Sequence, residues 1–373
     1  MKIGIVVHGP NIIDTGCALN LIKLFEKYGD VSAKLGGTMG RTAVIDNSLE
    51  NIIDISEKLV PSDSLKIFHD RGVDVIFLLN YGKSHVTGQV FGYKVYSHYK
   101  NKISADNIPI IQIERPGEDD GSVINWNSES DISFKLANQL NLNIITPDEI
   151  YENHIKNDDF SQTRRVIHGV SPGENIMVNN IVIGKSNSDN VVLVSKNNRI
   201  IDIIGGKIKP HGVEKLGEVC LNDAIVKTGL LRKSNVNPRI IGNKNDSFFK
   251  IAFLNHAAVD VYRFRDASVV ITVGDDTTLI ASDILYRFNI PIIGITDGDL
   301  DKVVENGFKS KNSIIFEVDD GNDDIIGNLI FDEVFNNKDV LIDSSDFTSI
   351  GDLENKIVEI INNMNCKYII NRI

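Results

Sequence analysis

The sequence predicts an α/β fold, with parallel-sheet units at both ends of the chain and a small antiparallel β module between them. Three observations predict it. Short, nearly unbroken apolar runs recur at Ile3–Val7, Val73–Leu79, Ile110–Glu114, Ala267–Val273 and Ile290–Ile295, the pattern of strands covered on both faces. Each leads through a polar, often glycine-containing loop, and most then enter a stretch with helical spacing, as strand–helix–strand units do. From Arg164 to about Leu231 the pattern changes to short β-rich runs broken by Asn179-Asn180, Asn197-Asn198 and Gly205-Gly206, turn residues that separate antiparallel strands.

Taken in order, the first strand ends at His8-Gly9-Pro10. A loop through Asp14-Thr15-Gly16 leads into an amphipathic helix over Ala18–Phe25, and Asp30–Leu35 forms the second strand. The loop from Gly36 to Thr42 precedes a helix from Ala43 onward. Val73–Leu79 runs into Asn80-Tyr81-Gly82-Lys83-Ser84 and a helix through Val95-Tyr96; Ile110–Glu114 stops at Arg115-Pro116-Gly117. Residues 131–155 read as helical around one short strand, Asn143–Ile145. In the middle, Val191–Val194 and Ile200–Ile204 form a hairpin. A helix over Phe248–Tyr262, the strand Ala267–Val273, a helix to Phe288 that Thr277-Thr278 cap, the strand Ile290–Ile295 and a terminal helix over Asp346–Ile361 complete the chain. Asn107–Ile113 and Asn289–Ile295 echo each other around a proline. Both ends therefore read as Rossmann-like parallel-sheet units.

A chain of 373 residues exceeds one ordinary core, and the composition shifts divide it into 1–160, 161–242 and 243–373. Hydrophobic residues at 42% and charged residues at 24% are those of a globular protein. A net charge of −12 and a pI near 5.2 argue against nucleic acid as a partner, while leaving room for a local pocket for one small anion. Cys17, Cys220 and Cys366 show no zinc spacing or disulfide framework. No signal peptide precedes the first strand, and no apolar run reaches the ~20 residues that span a bilayer. The expectation is a cytoplasmic protein.

In a parallel sheet, ligands bind beyond the carboxyl ends of the strands, so those loops carry the functional candidates. Gly36, Gly37, Thr38, Gly40 and Arg41 combine backbone freedom with a hydroxyl and a guanidinium suited to phosphate; a turn followed by a solvated arginine is the alternative. Gly82-Lys83-Ser84 resembles the end of a phosphate-binding loop, but Phe77 stands where that motif needs its first glycine. Lys83 and Ser84 remain anion candidates beside a simpler reading as a solvated lysine and a turn. His8, at a strand end, is either a ligand or acid–base group or a structural histidine. Gly274, Asp275, Asp276, Thr277 and Thr278, then Asp297, Asp299 and Asp301, bring up to five carboxylates to one edge if their strands are neighbours. Such a cluster suits Mg²⁺, with Asp275 and Asp299 as catalytic candidates and Asp276, Asp297 and Asp301 as metal ligands. Aspartates that cap helices and fill turns are the alternative.

Two resemblances follow from these residues. The Gly36–Thr42 loop, the Gly-Lys-Ser-His turn at Gly82–His85, and the Gly274–Thr278 and Asp297–Asp301 segments together resemble a conserved family of methanogenic archaea, a domain of unknown function. This implies an archaeal, cytoplasmic origin. Locally, Gly274-Asp275, Thr277, Pro291-Ile292, Gly294 and Ile295 are similar to the Gly-Gly-Asp-Gly-Thr region of NAD kinases, with Val273, Asp276 and Thr296 departing from it. That similarity implies a catalytic role for Asp275 and a nucleotide ligand. The resulting expectation is a nucleotide- or phosphometabolite-binding protein, with Mg²⁺-dependent phosphoryl transfer as its reaction. The alternatives are a non-catalytic ligand sensor or assembly factor, or a Toprim-like metal site at Asp297 and Asp299, which lacks its upstream glutamate.

Overall fold

A computed structural model describes the chain except residues 106, 156–162, 168, 180, 222–223, 230, 233, 243–247, 256–259 and 299–306. The described residues form two compact units. One comprises Met1–Ile176, Ile183–Thr228 and Arg232–Asn237; the other comprises Met177–Val182, Gly229–Leu231 and Pro238–Ile373.

The first unit opens with strands β1 (Lys2–His8), β2 (Asp30–Gly36), β3 (Ile53–Asp54), β4 (Val75–Asn80), β5 (Ile110–Glu114), β6 (Ser122–Asn125) and β7 (Asn143–Ile145). Its helices are α1 (Asn11–Asp14), α2 (Cys17–Phe25), α3 (Arg41–Asp46), α4 (Pro61–Asp70), α5 (His85–Lys100), α6 (Asp131–Leu140) and α7 (Pro147–Ile150). The strands form one sheet in the order β3-β2-β1-β4-β5-β6-β7. Neighbours are parallel except β5 and β6. The chain leaves β1 in one direction and returns to β4 on its other side, so the order reverses there. Alternation along the strands supplies both faces. Val6, Ile76, Leu78 and Ile110 share a core with Leu65 and Phe68 of α4 and Val95 and Tyr99 of α5. Phe77 points the other way and stacks on Phe25 of α2 at 4.1 Å.

Strands β8 (Thr163–Ile167), β9 (Asn175–Val178), β10 (Ile181–Ser186), β11 (Val191–Lys196), β12 (Arg199–Ile204) and β13 (Gly206–Ile208), helix α8 (Pro210–Leu216) and strand β14 (Val226–Thr228) follow. They form a three-stranded sheet, β12-β11-β8, and a four-stranded one, β13-β10-β9-β14. The expected hairpin is present: β11 and β12 are antiparallel, joined by Asn197 and Asn198 at φ 52° and 59°, the positive-φ pair a tight hairpin turn needs.

The rest of the second unit contains β15 (Lys250–Leu254), β16 (Val269–Val273), α9 (Asp275–Tyr286), β17 (Ile292–Thr296), β18 (Ile314–Val318), α10 (Asp323–Glu333), β19 (Val340–Ile342), α11 (Ile350–Asn363) and β20 (Tyr368–Arg372). The sheet order is β19-β15-β16-β17-β18-β20, parallel in its centre with an antiparallel strand at each edge. The two α/β ends thus have separate sheets. The sequence echo is structural as well. Pro109 and Pro291 each offer a carbonyl to the neighbouring strand, accepting from Ile76 N at 2.9 Å and Val270 N at 3.2 Å.

Two expectations fail in the second unit. Phe248–Tyr262 is not a helix. Lys250–Leu254 is a strand whose Ile251, Ala252, Phe253 and Leu254 are buried, and residues 256–259 lie outside the described residues. A run this short, enclosed between β16 and β19, is stabilised by burial on both faces rather than along one helical stripe. Thr277 and Thr278 do not cap α9 either. The cap is Gly274 at φ 89°, and the Thr278 hydroxyl meets that of Thr272 at 2.8 Å inside the unit. Among the described residues no helix is long and apolar enough to cross a membrane.

Candidate functional site

The carboxyl edge of the first sheet gathers four strand ends. Parallel register sets His8 opposite Gly36 on one side and Asn80 on the other, with Glu114 beyond Asn80. A buried polar chain joins them. His8 Nδ1 lies 2.8 Å from Asn80 Oδ1, and Asn80 Nδ2 donates to Glu114 Oε2 at 2.7 Å. Gly82 N donates to Glu114 Oε1 at 2.7 Å, and Gln112 Nε2 donates to Glu114 Oε2 at 2.8 Å. At the far end Trp126 Nε1 donates to Gln112 Oε1 at 3.2 Å. Glu114 and Gln112 are fully buried. They fit because α5 presents Gly88 and Gly92 to them: a Cβ on Gly88 would lie 1.9 Å from the Glu114 carboxyl carbon, and one on Gly92 1.7 Å from Gln112 Oε1.

The glycine loop closes over the same edge. Gly37 has φ 97°, a conformation that L side chains rarely adopt. A Cβ there would sit 3.6 Å from His8 Cδ2 and 3.9 Å from Nε2, so main chain faces the imidazole directly. The imidazole also stacks on Phe91, ring centroids 3.9 Å apart. Gly40 approaches the Gly9 carbonyl closely, leaving only 3.1 Å for a Cβ. Thr38 supplies a carbonyl to Arg41 N at 3.1 Å, and the Arg41 side chain is buried at the start of α3 rather than solvated.

Two cationic positions border His8 and α5. Lys83 Nζ is held by Glu174 Oε2 and Oε1 at 2.7 and 2.9 Å and by Thr228 Oγ1 at 3.0 Å. Its three donors are thus committed. Ser84 caps α5, accepting from Thr87 N. Lys227 stands beside Thr228 on β14. Burial, then repulsion from Lys58, pulls its ammonium down to about 8. His8 is lowered to about 4, chiefly by burial, against a raising hydrogen bond from Asn80 and with a further lowering push from Lys227. A neutral histidine facing bare glycine backbone, within the field of a partly desolvated lysine, is an arrangement that an anion would fit.

A further cluster escaped sequence reasoning. Arg232 places Nε 2.7 Å from Asp14 Oδ2, with Nη2 on Asp14 Oδ1 and Nη1 on Asp46 Oδ2. Its side chain is almost wholly buried, and that of Asp46 fully so. The partners stand more than 180 positions apart, and no local spacing signals such a pairing.

In the second unit, β16 and β17 are neighbours, which meets the condition for a shared acidic edge. Asp275 is buried at the first position of α9, with Asp276 next to it. Asp297 Oδ2 accepts from Gly321 N at 3.0 Å, and Asp323 Oδ2 lies 3.9 Å from where a Gly274 Cβ would stand. Asp299 and Asp301 lie outside the described residues. Among those described, no group of three or more His, Cys, Asp or Glu is arranged to hold a metal ion. Gly294 serves packing: a Cβ there would meet Thr278 Cγ2 at 2.7 Å.

Parallel sheets, polar loops at their carboxyl ends and an antiparallel module define an α/β protein. More specifically, the chain belongs to the family described as "Uncharacterized protein conserved in archaea (DUF2117)", which it matches over residues 5–338. An uncharacterized protein of Methanocaldococcus jannaschii is 47% identical over 339 residues, covering 88% of this chain and 90% of the relative. No solved structure matches significantly. The likeness to NAD kinases rests on its short motifs alone; none of these matches shows it.

Proposed function

We propose that the chain is a cytoplasmic protein that binds a nucleotide or another phosphorylated metabolite, with the phosphate at the carboxyl edge of the first unit's sheet. The observation that carries this reading is the main chain that Gly37 exposes to the imidazole, its Cβ position 3.9 Å from His8 Nε2, within the electrostatic reach of Lys227. The site lies where the strand order reverses, the position at which parallel sheets receive ligands. Arg41 and Lys83 support the loops on either side.

Phosphoryl transfer is the reaction such binding would serve; the second unit carries its own candidate carboxylates for Mg²⁺, Asp275 first among them. Among the described residues, no three carboxylates are arranged to hold that ion. The commitment of Lys83 to Glu174 and of Ser84 to its helix cap favours a second reading, a ligand sensor without catalysis.

Thermal unfolding with ATP, ADP, NAD and pyrophosphate, each with and without Mg²⁺, tests the proposal. A ligand at a hundred times its dissociation constant stabilises by about 2.7 kcal/mol, a readily measured shift. Lys227→Met should abolish it. No shift with any phosphorylated compound at millimolar concentration refutes the binding reading. Turnover of a bound nucleotide separates the enzyme from the sensor.

A further inference from the structure

The hydrogen-bond chain behind His8 has a direction, and that direction determines which imidazole nitrogen carries the proton. Trp126 Nε1–H can only donate, so Gln112 must present Oε1 to it. The Gln112 amide nitrogen therefore faces inward, donating to Gly88 O at 3.0 Å and to Glu114 Oε2 at 2.8 Å. The Gly82 backbone N–H, also donor-only, occupies Glu114 Oε1. Burial pushes the Glu114 carboxyl up, and two donors, Gly82 N–H and Gln112 Nε2–H, already face its oxygens. Asn80 adds a third, donating through Nδ2 to Oε2, which leaves its Oδ1 towards His8. A carbonyl oxygen only accepts, so His8 donates from Nδ1–H. The proton is thereby held on the side away from the glycine loop, and Nε2 keeps its lone pair 3.9 Å from where a Gly37 Cβ would stand.

From this geometry we infer that His8 Nε2 is a proton acceptor for the bound molecule, with Asn80, Glu114, Gln112 and Trp126 as positioning residues. The inference rests on the phosphorylated-ligand reading and deepens it. In the step it describes, a hydroxyl or water O–H bond breaks, its proton forms a bond to Nε2, and the oxygen keeps the electron pair. The resulting imidazolium still donates through Nδ1 to Asn80. Such a base acts by geometry first and basicity second. Without ligand, burial first and Lys227 after it discourage protonation of His8, while Lys58 adds to the positive field at Lys227 and Lys83 is neutralised by Glu174. A phosphate beside Lys227 offsets the second of these, so the ligand itself raises the basicity of the nitrogen that serves it.

Nitrogen NMR of the full chain labelled at histidine tests this, with His8→Gln assigning the resonance. The expected free state at pH 7 is a neutral His8 protonated at Nδ1. Pyrophosphate should raise its pKa by at least one unit. Asn80→Asp should produce an imidazolium at pH 7, and Asn80→Ala should release the fixed tautomer, both with Trp126 fluorescence showing a folded first unit. A wild-type Nε2–H tautomer, or an imidazolium in the free protein, overturns the inference. So does pyrophosphate that gives binding heat by calorimetry without moving His8, in which case the binding reading survives. Absence of any heat refutes the binding reading itself and takes the proton-acceptor role with it.

Discussion

Replacing Gly88 with alanine should destabilise the first unit, against the direction that helix propensity predicts. Gly88 lies inside α5, where alanine is favoured over glycine by about 1 kcal/mol. The added methyl, however, would stand 1.9 Å from the Glu114 carboxyl carbon and 2.0 and 2.3 Å from its oxygens, well inside contact distance. Glu114 has nowhere to retreat, since three N–H donors hold it and it is fully buried. Either α5 moves off the sheet, at an overpacking cost of about 1–3 kcal/mol, or the carboxylate leaves its donors. Each abandoned buried donor costs about 1–3 kcal/mol more. Set against the propensity gain, the first route leaves a net loss of up to about 2 kcal/mol and the second a larger one. Trp126 is the chain's single tryptophan and sits at the end of this network, so its fluorescence reports the first unit alone in a two-unit protein. With a urea slope of about 2 kcal/mol per molar, the midpoint should fall by about 1 M or slightly more. A Gly88→Ala protein as stable as wild type, or more so, would refute the claim that this glycine exists to admit Glu114.

Arg232→Ala should cost about 3 kcal/mol, because it takes the guanidinium from the buried Asp46 and half-buried Asp14 carboxylates, and Arg232→Lys should recover little since a lysine lacks the forked geometry; urea midpoints check both. For His8 the folded pKa of about 4 lies below the unfolded 6.5, so the unfolded chain binds the extra proton between those values. Stability is therefore fully present above pH 6.5 and falls as pH drops through 4, by about 3 kcal/mol at most, and His8→Gln should flatten that limb of the Trp126-monitored profile. At pH 8.5, binding of pyrophosphate should take up protons as the ligand restores the Lys227 charge lost near pH 8, visible as a buffer-dependent heat in calorimetry and absent in Lys227→Met. Gly92→Ala should resemble Gly88→Ala, since its Cβ would lie 1.7 Å from Gln112 Oε1; an unchanged urea midpoint counts against it.

What the amino-acid order determined by itself was the set of strongly patterned elements. The apolar runs at Ile3–Val7, Val75–Leu79, Ile110–Ile113 and Val269–Val273 are strands because nothing but burial on both faces accommodates them. The Asn197-Asn198 turn marked its hairpin, because only a few residue types accept positive φ at two consecutive positions. The strand Lys250–Leu254 was illegible: five residues with an apolar core fit a buried helix as well as a strand, and only its neighbours β16 and β19 settle the matter. The same holds for the site. That the glycine-rich loop and the end of β1 lie at the carboxyl edge of the sheet was readable, since local chain geometry implies it. That Lys83 would be spent on Glu174, that Lys227 would come within electrostatic reach of His8, and that Glu114 would be admitted by two helix glycines depended on residues far apart in the chain. Such pairings obey no local periodicity. They exist only once the sheet order places β14 and α5 against the ends of β1, β4 and β5, where desolvation turns ordinary side chains into a lysine with lowered basicity and a histidine held neutral.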